Sequence, residues 1–169
     1  MKSSKRRVRL RFGKLDASYR SKLEKYLSNV LGVDPHGIIP EELYYTCFDE
    51  YCFIHEEAGR DEYVTLIYSG LWIGVIIDGD VYLSIPIYEK IYSTIGFKAA
   101  IVVGELGVKN FLYGRDILEE SIVSKYPPLN NPLAVIDHSD GRVIGVVKPV
   151  ENRVYKHIYD LSMFLHILG

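Results

Sequence analysis

The sequence has no glutamine, two methionines and a single tryptophan, and asparagine is scarce. Side chains that fail first on heating are depleted while isoleucine, valine and tyrosine are abundant, which is the composition of a heat-adapted protein. Cysteine is confined to Cys47 and Cys52. Two cysteines cannot build the disulfide framework of a small secreted domain, so a reducing, cytoplasmic setting is expected, with both thiols buried as small hydrophobes in strands. No run approaches the roughly 18 uncharged apolar residues that cross a bilayer, and no apolar segment follows the basic N-terminus as in a signal peptide. The glycines at 70, 74, 104 and 107 match neither a P-loop nor a dinucleotide fingerprint, which leaves nucleotide hydrolysis without support.

What is present is a core-forming chain: 169 residues, 48% hydrophobic, enough for one ordinary domain or two small ones. Its net charge of -2 conceals a division. Residues 1–14 hold seven basic side chains and no acid, and the rest carries 13 basic against 22 acidic groups. Residues 41–62 concentrate eight acids against Arg60 alone, a surface that repels a phosphate backbone. Residues 142–156 reverse the balance, with four basic groups against Glu151. Nucleic acid, if bound, belongs at the ends of the chain.

Local patterns supply the elements. Alternation over residues 8–12 predicts a strand with one wet face. Asp16 is placed to cap a helix whose Leu23, Tyr26, Leu27, Val30 and Leu31 share one face, with Gly32 ending it. Strands are expected near 51–55, 63–68 and 71–77, with a turn at Asp78-Gly79-Asp80. Ser84 and Pro86 open a helix over 87–95 that Gly96 closes. Residues 99–103 form a buried strand, 105–107 a loop and 114–123 a short helix. The hairpin is clear: 133–137, a turn through Ser139-Asp140-Gly141, and 143–147. Val154, Ile158 and Leu161 fall at i, i+4 and i+7, so a packed element presents Arg153 and Lys156 outward.

Chemistry is sparse. Cys47, Cys52 and His55 offer three zinc ligands where a structural site needs four, and no second pair completes one, so no metal is expected. Asp137, His138, Ser139 and Asp140 hold triad side chains, but they are adjacent in a turn, whereas working triads converge from distant segments. The basic arm before residue 12 suits either phosphate contacts or an edge strand protected against aggregation. Tyr44, Tyr45, Phe48, Tyr51 and Phe53 sit among acids and read as core or protein interface.

FLYG at 111–114 with the charged pair and aliphatic pair after it, the AVID and GRVIGV hairpin, and P-x-x-x-R-x-x-K before an apolar end together resemble the C-terminal PUA domain of the Nip-seven family of large-subunit ribosome assembly factors. RVRLRF, the Glu24-Lys25-Tyr26 segment, YCFIHEE and YSGLWIG are similar to its N-terminal half. The chain departs from the family at Ser69-Gly70-Leu71-Trp72-Ile73-Gly74, which is shorter and lacks a threonine. It departs again at Asn152 and Tyr159, which stand where basic residues are expected.

The resemblance implies an α+β fold of two small domains: residues 1–95, a mixed α/β unit for protein contacts, and residues 96–169, a PUA-like β pseudo-barrel for RNA. It implies a non-catalytic protein of large-subunit assembly and pre-rRNA processing, in an archaeal cytoplasm. No cofactor is expected, and its partners are single-stranded pre-rRNA and pre-ribosomal or RNA-processing proteins. A monomer is expected. The RNA site would comprise Lys148, Arg153 and Lys156 as one cationic shelf, with Arg115 and Gly114, and Tyr159 stacking on a base. Gly114 would turn the chain into a helix whose N-terminal amides meet a phosphate. Two rival readings stand beside this one. The first is an RNA-modifying enzyme that uses the PUA domain for delivery; the second is an acidic protein adaptor that binds no RNA.

Overall fold

The structure, a computed structural model, describes residues 10–56 and 72–163. The strand expected at 63–68 and the arm before Leu10 lie outside the described residues. The fold is α+β, built on two sheets. In the first, β1 (Leu10–Lys14), β2 (Tyr44–Phe48), β3 (Tyr51–His55), β4 (Trp72–Ile77) and β5 (Asp80–Leu83) lie side by side in chain order, each antiparallel to the next. Helix α1 (Ala17–Lys25) starts where Asp16 accepts the Ser18 amide at 2.8 Å, runs on as a π-helical turn (Tyr26–Leu31), and stops at Gly32 with φ +68°. Its buried Leu23 faces the sheet beside Gly74 and Ile54. The capping chemistry legible in sequence therefore sets both ends of this element.

Helix α2 (Ile85–Ile95) is capped by the Ser84 hydroxyl, carries Pro86 in its first turn and ends at Gly96. The expected domain boundary at 95/96 falls at this end. α2 packs on both β4 and β10 (Val143–Val150), so it belongs to the seam between the sheets.

The second sheet is ordered β7-β11-β10-β9-β6-β8, comprising β6 (Ala100–Val103), β7 (Ile117–Leu118), β8 (Ile122–Tyr126), β9 (Leu133–Asp137), β10 (Val143–Val150) and β11 (Val154–Asp160). β6 runs parallel to β9 and antiparallel to β8. All four of its residues are buried, which explains the unbroken apolar run. The expected hairpin is β9–β10, its turn held by Asp137 accepting from the Ser139 amide at 2.8 Å and Asp140 from the Arg142 amide at 2.9 Å. Those bonds employ the side chains that mimic a triad.

Two expectations are corrected here, and the C-terminal packed element is assigned its type. Helix α3 (Glu105–Leu112) occupies the expected loop and the start of FLYG, while residues 114–123 form β7, a 3-10 turn (Glu119–Ser121) and the start of β8 rather than a helix. A Cβ at Gly107 would come within 2.3 Å of Val103 and 2.8 Å of Ser121, so this glycine is what lets α3 lie against its sheet. The C-terminal element is strand β11, with a bulge opposite Val146/Val147, despite helix-like spacing of its apolar residues. Cys47 and Cys52 face each other directly across β2 and β3 and are joined as a disulfide, not held as free thiols. Intracellular proteins of hyperthermophiles tolerate such bonds, so the cysteine count carried less information about compartment than expected.

Candidate nucleic-acid interface

The β10–β11 hairpin places Lys148 directly opposite Lys156. Cross-strand partners put their side chains on the same face, with Cβ atoms about 5 Å apart, so two exposed ammonium groups stand together there. Val146 and Tyr159, also partners, share that face by register. It is the face turned toward the first sheet, because Tyr159 reaches Trp72 and Leu83. The lysines thus project past the seam, where Asp80 at the start of β5 lies 4.0 Å from Lys148 and 3.8 Å from Lys22 of α1. Lys22 and Lys148 flank this one carboxylate from two elements, and Lys156 stands across the strand pair from Lys148, so the three lysines make a strip that spans both sheets.

Lys22 was not legible as part of this strip. Its position in α1 looks like an ordinary solvated lysine, and only the tertiary fold carries it to Asp80.

The other expected residues are distributed differently. Arg153 lies in the turn closing the hairpin, exposed, at φ +58° and following Asn152 at +63°. It sits near Glu119, whose carboxyl is held below the usual range chiefly by the hydrogen bond from Lys125, with Tyr155 and the charge of Arg153 adding to it. Tyr155 precedes Lys156 on the strand and so faces the other side, where its hydroxyl meets Glu119 at 3.1 Å. The basic residues are therefore not one cationic shelf: Lys148 and Lys156 form a pair, and Arg153 is attended by a carboxylate.

Gly114, at φ +80°, follows the last turn of α3. Its amide donates to the Phe111 carbonyl at 2.8 Å and the Arg115 amide to the Asn110 carbonyl at 3.2 Å, which is helix C-terminal capping. The glycine ends a helix instead of opening one, so no helix N-terminus is offered to a phosphate here. Arg115 is exposed in the short link to β7, and Asp116 beside it accepts the His157 amide at 2.8 Å, fixing this link along the edge of β11.

Tyr159 is 1% exposed, with its ring edge-on to Trp72 at 5.9 Å and its hydroxyl given to the Leu83 carbonyl. It joins the two sheets and cannot stack on a base. Between Gly114 and β3 lies a cleft of about 520 Å³ lined by Tyr51, Tyr113, Gly114, His157, Asp160 and Met163, among others. Among the described residues no cluster of His, Cys, Asp and Glu is arranged to hold a metal, and no helix is long and apolar enough to cross a membrane.

Residues 99–167 match the family model described as the UPF0113 PUA domain. No curated protein sequence matches the chain. Solved structures share its fold over nearly its whole length. A hypothetical protein from the hyperthermophilic archaeon Pyrococcus horikoshii OT3 superposes with a TM-score of 0.68 at 14% identity, covering 94% of this chain and 100% of its own. A conserved PUA domain protein from Thermoplasma acidophilum gives 0.61 at 15% identity over 92% of this chain and 97% of that one. A PUA domain from Aeropyrum pernix K1, solved as a tartrate complex, gives 0.61 at 14% identity over 95% and 91%. The chain has the fold of these archaeal proteins, and its second half, from residue 99, carries a PUA domain.

Proposed function

We propose that the protein is a non-catalytic RNA-binding factor of large ribosomal subunit assembly, working in the cytoplasm of a heat-adapted archaeon. PUA domains generally bind RNA, and this chain carries one over its second half. The observation that supports an RNA surface here is the Lys148–Lys156 pair. Two exposed like charges placed opposite one another repel, and a shared anion such as a phosphodiester removes that cost. Lys22 extends the strip, and exposed Arg153 and Arg115 are the further basic groups proposed to meet a strand that runs beyond it. Single-stranded pre-rRNA is the proposed ligand, because a strip of separate ammonium groups tracks a backbone without demanding duplex geometry.

The test is fluorescence anisotropy with a single-stranded RNA oligonucleotide over a salt series. Replacing both Lys148 and Lys156 by glutamine should weaken binding at least about tenfold and lower the salt slope by about 1.4, the contribution of two phosphates on a single strand. Unchanged affinity and slope would remove the pair from the RNA surface.

A further inference from the structure

The lysine pair has a neighbour on its own face. Val150 of β10 lies opposite Val154 of β11, and Val154 lies opposite Leu118 of β7, so one row of the ladder carries aliphatic side chains across three strands. Val150 and Val154 stand two residues along their strands from Lys148 and Lys156, and side chains two apart share a face. The bulge at Val146/Val147 lies on the far side of the lysines and leaves this parity intact. Adjacent strands are about 4.8 Å apart, so the row is about 10 Å long, and it runs about 6.6 Å from the lysine row.

The other face of these strands is covered by α3, which packs on β7 and β11. Ile117 and Tyr155 are buried there, and the Phe111 ring lies 4.8 Å from that of His157. The aliphatic row points outward: Leu118 and Val150 are each 47% exposed, with Val154 half-buried between them. The wet face of a strand ordinarily alternates polar side chains with the buried ones, as Lys156 does beside Tyr155. One exposed aliphatic residue is ordinary, whereas three in a single row make a continuous apolar patch.

The surroundings of the row select its occupant. On one side stand Lys148 and Lys156, and on the other the hairpin turn with exposed Glu151 and Arg153. Glu119 follows Leu118 in the chain, but its carboxylate accepts from Tyr155, whose side chain lies on the opposite face. An apolar polypeptide seated on the row would leave the lysine pair unneutralised. A nucleotide carries both complements in one unit, an anionic phosphate and a planar base with apolar faces, and the two rows are close enough for one nucleotide to meet both. The second half of the chain carries a PUA domain, and PUA domains generally bind RNA.

We infer that the Leu118–Val154–Val150 row is a base platform: with a phosphate of single-stranded RNA between Lys148 and Lys156, the adjoining nucleobase lies flat on these three side chains. Aliphatic groups offer no hydrogen bond to a base edge, so the contact is sequence-tolerant. This inference rests on the RNA reading and assigns the part of that surface that meets bases.

The test compares a short oligouridylate with an abasic strand of the same length, which keeps the phosphates and lacks the bases, by anisotropy against the full chain at fixed salt. The native chain should bind the oligouridylate at least about threefold tighter. Leu118→Thr, Val150→Thr and Val154→Thr together should remove that preference while affinity for the abasic strand and its salt slope stay the same. Val150→Tyr puts a ring on the row and should tighten the oligouridylate alone by about fivefold. Lys148→Gln with Lys156→Gln should weaken both strands alike. Equal binding of the two strands by the native chain, a preference that survives the triple substitution, or no gain in Val150→Tyr overturns the platform and leaves the lysine surface standing. A double lysine variant that binds both strands as the native chain does overturns the RNA surface and the platform with it. Self-association in sedimentation that the triple variant abolishes without altering the strand preference assigns the row to a second copy of the chain and likewise overturns the platform.

Discussion

The hydroxyl of Tyr159 donates to the main-chain carbonyl of Leu83, joining strand β11 of the second sheet to strand β5 of the first. Both partners are buried, so losing the hydroxyl leaves a carbonyl without water or partner. Tyr159→Phe should lower stability by about 1–2 kcal/mol in urea denaturation while RNA affinity stays the same. A base-stacking role would give the opposite result, with stability unchanged and RNA binding weakened.

Glycines 107 and 114 should respond differently to alanine. At Gly107 the added Cβ meets Val103 and Ser121 far inside contact distance, so α3 must lift from its sheet, at about 1–3 kcal/mol. At Gly114 nothing lies within 4 Å, and the cost is only that of holding alanine at φ +80°, about 1 kcal/mol. Chemical denaturation separates the two. Equal costs would mean that α3 is not seated as closely as described.

The contrast between those glycines also shows which features the sequence could reveal. Asp16, Ser84 with Pro86, and the Asp137–Gly141 turn act on their own neighbours within a few residues, so they are visible in the string. FLYG was misread because a glycine after apolar residues marks a helix end as readily as a strand end, and Gly107 inside ELGVKNFL lowers helix propensity for a packing reason located on β6 and Ser121. Tyr159 was misassigned because what buries it, Trp72 and Leu83, is more than seventy residues away in the chain. Lys148 and Lys156 were found as basic residues, but their pairing follows from strand register, which the helix-like spacing of Val154 and Ile158 obscured.

Acid sensitivity should have a component from His55. This ring is buried, with Nε2 2.8 Å from the Thr46 hydroxyl and Nδ1 2.5 Å from the Glu56 carbonyl. A carbonyl only accepts, so Nδ1 carries the proton and Nε2 accepts from Thr46. Burial pushes the ring below its ordinary 6.5, and the Glu56 carbonyl acts in the other direction. The native state therefore binds the second proton less readily than the unfolded chain. Stability from this group is present above pH 6.5 and is lost as pH falls from there toward the lower native value. Urea midpoints at pH 7.5 and 5.0 should differ more for the native sequence than for His55→Asn; an equal difference would remove His55 as the source.

Reduction should cost little. The Cys47–Cys52 bond closes a loop already closed by the β2–β3 hairpin, with five residues of separation. Chain-entropy reasoning sets an upper bound of about 2 kcal/mol, and the preformed hairpin brings it lower. Cys47→Ser with Cys52→Ser should shift the urea midpoint modestly and leave RNA affinity unchanged. A loss of RNA binding would tie the disulfide to the interface.

The carboxylates beside the basic groups provide the sharpest test of where RNA lies. Asp80 sits between Lys22 and Lys148, and Glu119 sits near Arg153 while bonded to Lys125 and Tyr155. Each acid attracts a cation that RNA would otherwise engage and repels the phosphate itself. Asp80→Asn should therefore raise affinity for single-stranded RNA about two- to fivefold at low salt, an advantage that shrinks as salt screens the charges. Glu119→Gln should do the same only if Arg153 is in contact with the strand. Anisotropy titrations of the two variants separate the cases. A gain for Asp80→Asn alone confines RNA to the lysine strip, a gain for both extends its path to the hairpin turn, and a gain for neither means that RNA does not approach this face, because removing a negative charge from a phosphate's path cannot leave binding unaltered at low ionic strength.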